Sequence, residues 1–151
     1  MQGARVIWRA VLVLGSIVCA GLVAPGWQAS ADDYAYVQTQ SGNTLCSIGK
    51  HEVVCVGQPV GWLPVGPGNN AAQVNEAGHL TFTSVGMVGD PAKTVILRYD
   101  QTYHLEGWTV LPTNQGTRFT NNQSGKGMFV STTTCTRFDV VSAGRIRFGF
   151  F

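Results

Sequence analysis

From Tyr34 onward the chain alternates apolar and polar residues over short runs, broken every few positions by glycine, proline, asparagine or aspartate. This period of two is that of half-buried β-strands, and no segment sustains the 3.6-residue apolar period of a helix. Tyr34 to Gln40 reads as a first strand, ended by Ser41-Gly42-Asn43. Thr44-Leu45-Cys46-Ser47-Ile48 and Val53-Val54-Cys55-Val56 flank Gly49-Lys50-His51-Glu52 as a hairpin with a four-residue loop. Ala71 to Glu76 and His79 to Ser84 flank Ala77-Gly78 as another. Lys93 to Tyr99 reads as the best strand in the chain, and Val95, Ile96 and Leu97 predict burial on both faces. Thr102 to Glu106, Trp108 to Leu111, Thr117 to Thr120 and Met128 to Thr133 continue the pattern. A last hairpin joins Arg137 to Val141 with Arg145 to Phe150 through Ser142-Ala143-Gly144, and there Ile146, Phe148 and Phe150 alternate with Arg145, Arg147 and Gly149.

Between these runs lie loops rich in breakers. Gln58 to Asn70 contains Pro59, Pro64, Pro67, Gly61, Gly66 and Gly68, with Trp62-Leu63 expected to pin it to the body. Val85 to Ala92 holds Gly86, Gly89 and Asp90-Pro91. About ten short strands at this spacing predict an all-β fold, an antiparallel sandwich or barrel.

The first thirty-one residues follow another rule. Arg5 and Arg9 precede an apolar stretch of fifteen residues, Ala10 to Ala24. Pro25-Gly26 breaks it, and Ala29-Ser30-Ala31 offers small residues for cleavage, the layout of an export signal. A membrane anchor needs about twenty apolar residues, so the stretch is short for a span. Val18 stands where lipoprotein processing expects a small residue before Cys19. The expectation is therefore a cleaved signal at 1–31 and a single secreted β domain at 32–151, without a transmembrane segment.

Charge then narrows the partners. The chain has ten basic and eight acidic residues, and loss of Arg5 and Arg9 leaves eight of each. A neutral domain without a basic run lacks the electrostatic footprint of a nucleic-acid binder, and it has no polybasic segment for an anionic membrane.

Three cysteines follow the leader. The hairpin register sets Cys46 directly opposite Cys55, within the reach of a disulfide, and Cys135 is left over. Cys135 is the only remaining thiol for nucleophilic chemistry or for linking two chains into a structural dimer. His104 and Glu106, two apart on a predicted strand, would share a face as an acid/base pair of a hydrolase or transferase. His51 and His79 are isolated, so no metal site and no cofactor is expected. Asn121 to Gly127 resembles a phosphate-binding loop only superficially, because Gly127 stands where Ser or Thr must follow the lysine. Asn122-Gln123-Ser124 matches a glycosylation acceptor. Trp62, Tyr103 and Trp108 serve either as a sugar-stacking platform or as core.

Several of these residues together carry a resemblance. Ser41-Gly42-Asn43, Cys46 with Cys55, Thr102-Tyr103-His104, Gly107-Trp108-Thr109, Gly116-Thr117, Phe119-Thr120-Asn121 and Gly127-Met128-Phe129-Val130-Ser131 resemble small exported proteins of mycobacteria and related actinobacteria, from about Val37 to Ser131. The resemblance implies export to the envelope or medium and a disulfide hairpin. It brings no activity and no catalytic residue. The functional expectation is a secreted or cell-envelope binding module that recognises an envelope glycan, lipid or protein through loops at one end of the sandwich, with Trp62, Asn121 and Asn122 as contact residues. The alternatives are the His104 and Glu106 enzyme and the Cys135-linked dimer.

Overall fold

A computed structural model describes residues 34–57, 63–86, 88–141 and 145–148. The leader, Trp62, the 142–144 turn and Phe150 lie outside the described residues. Within them every regular element is a strand: β1 Tyr34–Thr39, β2 Thr44–Gly49, β3 Glu52–Gly57, β4 Ala71–Asn75, β5 Leu80–Thr83, β6 Val95–Leu97, β7 Tyr103–Leu105, β8 Trp108–Thr113, β9 Gly116–Asn121, β10 Lys126–Val130, β11 Cys135–Val141 and β12 Arg145–Phe148. They form two six-stranded sheets, ordered β5-β4-β3-β2-β1-β6 and β12-β11-β10-β9-β8-β7. The architecture is a sandwich rather than a closed barrel. Among the described residues no helix is long and apolar enough to cross a membrane.

Alternation decides the layers. In β8 the inward positions Trp108, Val110 and Pro112 are buried, and β9 buries Thr117, Phe119 and Asn121 in the complementary phase. From the first sheet Val37, Cys46, Ile48, Val53, Cys55, Ala72 and Val74 meet Trp108, Val110, Phe119, Met128 and Val130 of the second. Each large apolar side chain buried there contributes roughly 1.5–3 kcal/mol relative to exposure.

The disulfide hairpin has the expected register, with Ile48 opposite Val53 and Cys46 opposite Cys55. Its Cα atoms are 4.1 Å apart and the bridge lies in the core. The strands extend through Gly49 and Glu52, so the loop is tighter than the expected four residues and consists of Lys50-His51.

One strand departs from expectation. The Lys93 to Tyr99 run forms only the three-residue β6, where Leu97 is fully buried but Val95 and Ile96 are 48% and 47% exposed. The physical reason is its place at a sheet edge. Residues 88–94 pass over the outer face of the first sheet, and the chain enters beside β1 at Val95, running parallel to it from Val37↔Val95 to Thr39↔Leu97. With neighbours on one side only, an edge strand cannot bury both faces, and this parallel pair is the exception in an otherwise antiparallel fold.

Candidate functional site

Strand direction sorts the connections between two ends. The tight turns Lys50-His51, Glu76-Ala77-Gly78, Glu106-Gly107 and Asn122 to Gly125 lie at one, the turn end. At the other, the loop end, lie Gln40 to Asn43, the β3–β4 and β6–β7 connections, Asn114-Gln115 and Ser131 to Thr134.

The turn end is tied shut between the sheets. Trp108 Nε1 donates to the Gly49 carbonyl at 3.0 Å, a buried bond, and the Ser124 hydroxyl donates to the Glu76 carbonyl at 2.6 Å. Asn121, only 4% exposed, turns its side-chain oxygen to its own loop and accepts from the backbone N–H groups of Gln123 and Ser124 at 3.1 and 3.0 Å. That Asx-type cap organises the loop instead of presenting an amide to a ligand. Asn122 is exposed, and its side-chain oxygen accepts the Thr109 hydroxyl proton at 2.6 Å.

His104 and Glu106 do not make the expected pair. β7 ends at Leu105, and Glu106 and Gly107 form a two-residue turn between the partners Leu105 and Trp108, with φ of 47° and 82°. Both φ values are positive, as a two-residue hairpin of the I′ kind requires, so Glu106 leaves the strand's alternation. His104 Nδ1 instead lies 3.2 Å from the Thr109 hydroxyl. That hydroxyl already donates its one proton to Asn122, so His104 Nδ1 is the donor. The row Asn122, Thr109 and His104 therefore orders polar side chains without offering an activated nucleophile. Among the described residues no group of three His, Cys, Asp or Glu side chains is placed to hold a metal.

Cys135 opens β11 with 9% exposure. Burial raises its thiol pKa from 9.0 to about 11, partly offset by a backbone hydrogen bond at Ser131. The thiolate is the reactive form, so burial works against both a nucleophilic role and a bridge to a second chain. Trp108 is wholly buried and Tyr103 half-buried, its hydroxyl accepting from the Arg98 N–H at 2.9 Å and donating to Gln101 at 3.1 Å. Trp108 is core, and Tyr103 braces the corner between β6 and β7.

The loop end is open. A cleft of about 130 Å³ lies between the β1–β2 tip, the β8–β9 turn and the β10–β11 turn. Its polar walls are Ser41, Asn43, Asn114, Gln115, Ser131 and Thr132, and the half-buried Tyr99 supplies its aromatic surface. No lining side chain carries a charge. The walls are held by hydrogen bonds within and between the loops. Thr113 Oγ1 donates to the Gly116 carbonyl at 2.9 Å, and the Ser131 hydroxyl accepts from the Thr134 N–H at 3.0 Å. The Gln40 side-chain oxygen accepts from the Tyr99 N–H at 3.0 Å, fastening the β1–β2 tip to the segment that carries the ring. Gly116, at φ 152°, lets β9 approach β10 here, since a Cβ would meet the Val130 carbonyl at 2.6 Å.

Of the expected contact residues, Trp62 lies outside the described residues, and Asn121 and Asn122 lie away from the cleft. Both belong to the turn end, at the end of β9 and in the turn that follows it. The cleft is made by residues that sequence reasoning passed over, although Thr113-Asn114-Gln115 and Ser131-Thr132-Thr133-Thr134 were visible as uncharged runs of donors and acceptors. No protein family, curated protein or solved structure matches the chain.

Proposed function

We propose that the protein is an exported, non-enzymatic binding module that holds a neutral envelope glycan in the loop-end cleft. The observation that carries this reading is a concave lining of hydroxyl and amide side chains beside one aromatic ring, without a charged group. Hydroxyls and carboxamides each donate and accept, which suits a polyhydroxylated ligand whose own groups do the same. An aromatic ring beside them offers an apolar face to the C–H side of a sugar. The export signal expected at residues 1–31 and the oxidised Cys46–Cys55 bridge are compatible with an extracytoplasmic site of action.

The test is retention of the protein on insoluble cell-wall polymer in a pull-down, compared with Tyr99→Ala and Gln115→Ala. Loss of a stacking ring and of one polar wall residue is each expected to weaken retention about tenfold, equivalent to about 1.4 kcal/mol. His104→Ala serves as a control from outside the cleft and is expected to bind normally. Absence of retention on any envelope fraction, or equal retention by all variants, would remove the reading.

A further inference from the structure

The outer face of the first sheet carries a row that the glycan reading does not use. Register places Ala71, Val56, Leu45, Gln38 and Ile96 side by side across β4, β3, β2, β1 and β6. Their neighbours Val37, Cys46, Cys55, Ala72 and Leu97 face the core, so this row faces outward. An outward row on a sandwich is ordinarily polar and wet. Here four of the five residues are aliphatic, and residues 88–94 arch over the end of the row formed by Leu45, Gln38 and Ile96. Between that arch and the sheet lies a half-open pocket of about 370 Å³ lined by Leu45, Val88, Pro91 and Ile96, with Gln38 and Thr94 as its polar side chains. This is within the size range of small-molecule sites. It contains neither an aromatic ring nor a charged side chain.

The pocket and the polar cleft have no residue in common but lie on opposite faces of the β1–β2 pair, lined by successive residues. Gln38 and Leu45 line the pocket, and the next residues toward the tip, Thr39 and Thr44, line the cleft. On the other side Ile96 lines the pocket, and Tyr99, three residues on, lines the cleft. The β1–β2 tip therefore stands between an aliphatic slot and an uncharged hydrogen-bonding cleft.

We infer that the apolar pocket is the second half of one binding site, and that the ligand is a neutral glycolipid whose sugar head lies in the cleft and whose aliphatic chain passes the β1–β2 tip into the slot beneath the 88–94 arch. The inference rests on the glycan reading for the head and on the pocket's own lining for the chain. An unbranched aliphatic tail fits a lining of aliphatic side chains, and a neutral head fits walls that offer no counter-charge. A fatty acid anion would leave its carboxylate without a cation on either wall.

The experiment titrates the protein with octyl, decyl and dodecyl β-maltoside below their micelle concentrations, and with maltose alone, while NMR follows Leu45, Val88 and Ile96 methyls and Asn114, Gln115 and Thr132 amides. Each methylene buried should strengthen binding about fourfold until the slot is full. Both sets of signals are expected to move with decyl maltoside. Ile96→Glu and, separately, Val88→Glu change exposed or half-exposed residues, so folding should persist, and each should weaken decyl maltoside at least tenfold while sparing wall-polymer retention. Affinity independent of chain length, with only the amides moving, would overturn the slot and leave the glycan reading standing. Movement of the methyls alone would overturn the glycolipid and the glycan reading together, in favour of a plain lipid. If neither set moves, both fall.

Discussion

The two ends of the sandwich solve opposite problems with the same strands. At the turn end, short turns bring the sheets close enough for Trp108 to reach Gly49 and for Ser124 to reach Glu76. Its ionisable groups sit on the rim, as in the exposed His51–Glu76 pair at 2.9 Å. Such exposed pairs contribute little, so the closure comes from burial and inter-sheet hydrogen bonds. At the loop end the β3–β4 and β6–β7 connections are longer, the β8–β9 and β10–β11 turns are braced within themselves, and a cleft remains between the loops. The difference teaches where recognition can be placed. An end whose polar groups are consumed by closing the fold has few to offer a ligand, whereas loops that satisfy themselves locally keep side chains free.

The sharpest way to break this comparison is to open the closed end. Trp108→Ala removes a wholly buried indole and should cost about 3–5 kcal/mol in chemical denaturation, with Trp108→Phe losing less, about 1–3 kcal/mol, for the stranded Gly49 carbonyl. A loss below 1 kcal/mol for the alanine variant would show that the turn end is not held as described. Next in size is the staple between β2 and β3. Replacing Cys46 and Cys55 together by alanine should lower stability by about 2–3 kcal/mol, without changing retention on wall polymer by a cleft that lies outside the hairpin's disulfide.

A smaller effect separates a loop brace from a ligand contact. Asn121→Ala should cost about 1–2 kcal/mol, because two backbone N–H groups lose their acceptor, while affinity for envelope polymer stays unchanged. Weakened binding at unchanged stability would return Asn121 to the ligand surface. The smallest effect appears only in alkali. Cys135 has a folded pKa of about 11 against 9.0 for the free thiol, so the unfolded chain loses its proton first. The contribution is fully present below pH 9 and is lost as pH rises toward 11, amounting to about 1 kcal/mol at pH 10. Comparing wild type with Cys135→Ala at pH 8 and pH 10 isolates it, and parallel behaviour of the two proteins would show that the thiol is not buried as described.

Much of the fold was legible as pattern. The Cys46–Cys55 bridge followed from matching two short runs about one turn, because setting Ile48 opposite Val53 sets Cys46 opposite Cys55. The hairpin at Ala77-Gly78 and the alternation in β8 and β9 were equally local. The candidate site was less legible, because it is made where separate turns meet. Glu106 looked like a strand residue two positions from His104, and the positive φ of a two-residue turn removed it from that face. Val95-Ile96-Leu97 looked central by hydrophobicity, yet its pairing with β1 alone put two of the three at the surface.

By itself the sequence determined an all-β chain, the stapled hairpin and, beyond residue 31, equal numbers of acidic and basic residues. The first two depend on neighbours within a few residues, whose side chains alternate and whose turns admit few geometries. The tertiary structure decided that Asn121 is a brace, that Trp108 is core, and that Tyr99, Asn114, Gln115 and Ser131 share a cleft. Such facts depend on which strands become neighbours across the sandwich. Those pairings join residues far apart in the chain and leave no trace in local periodicity.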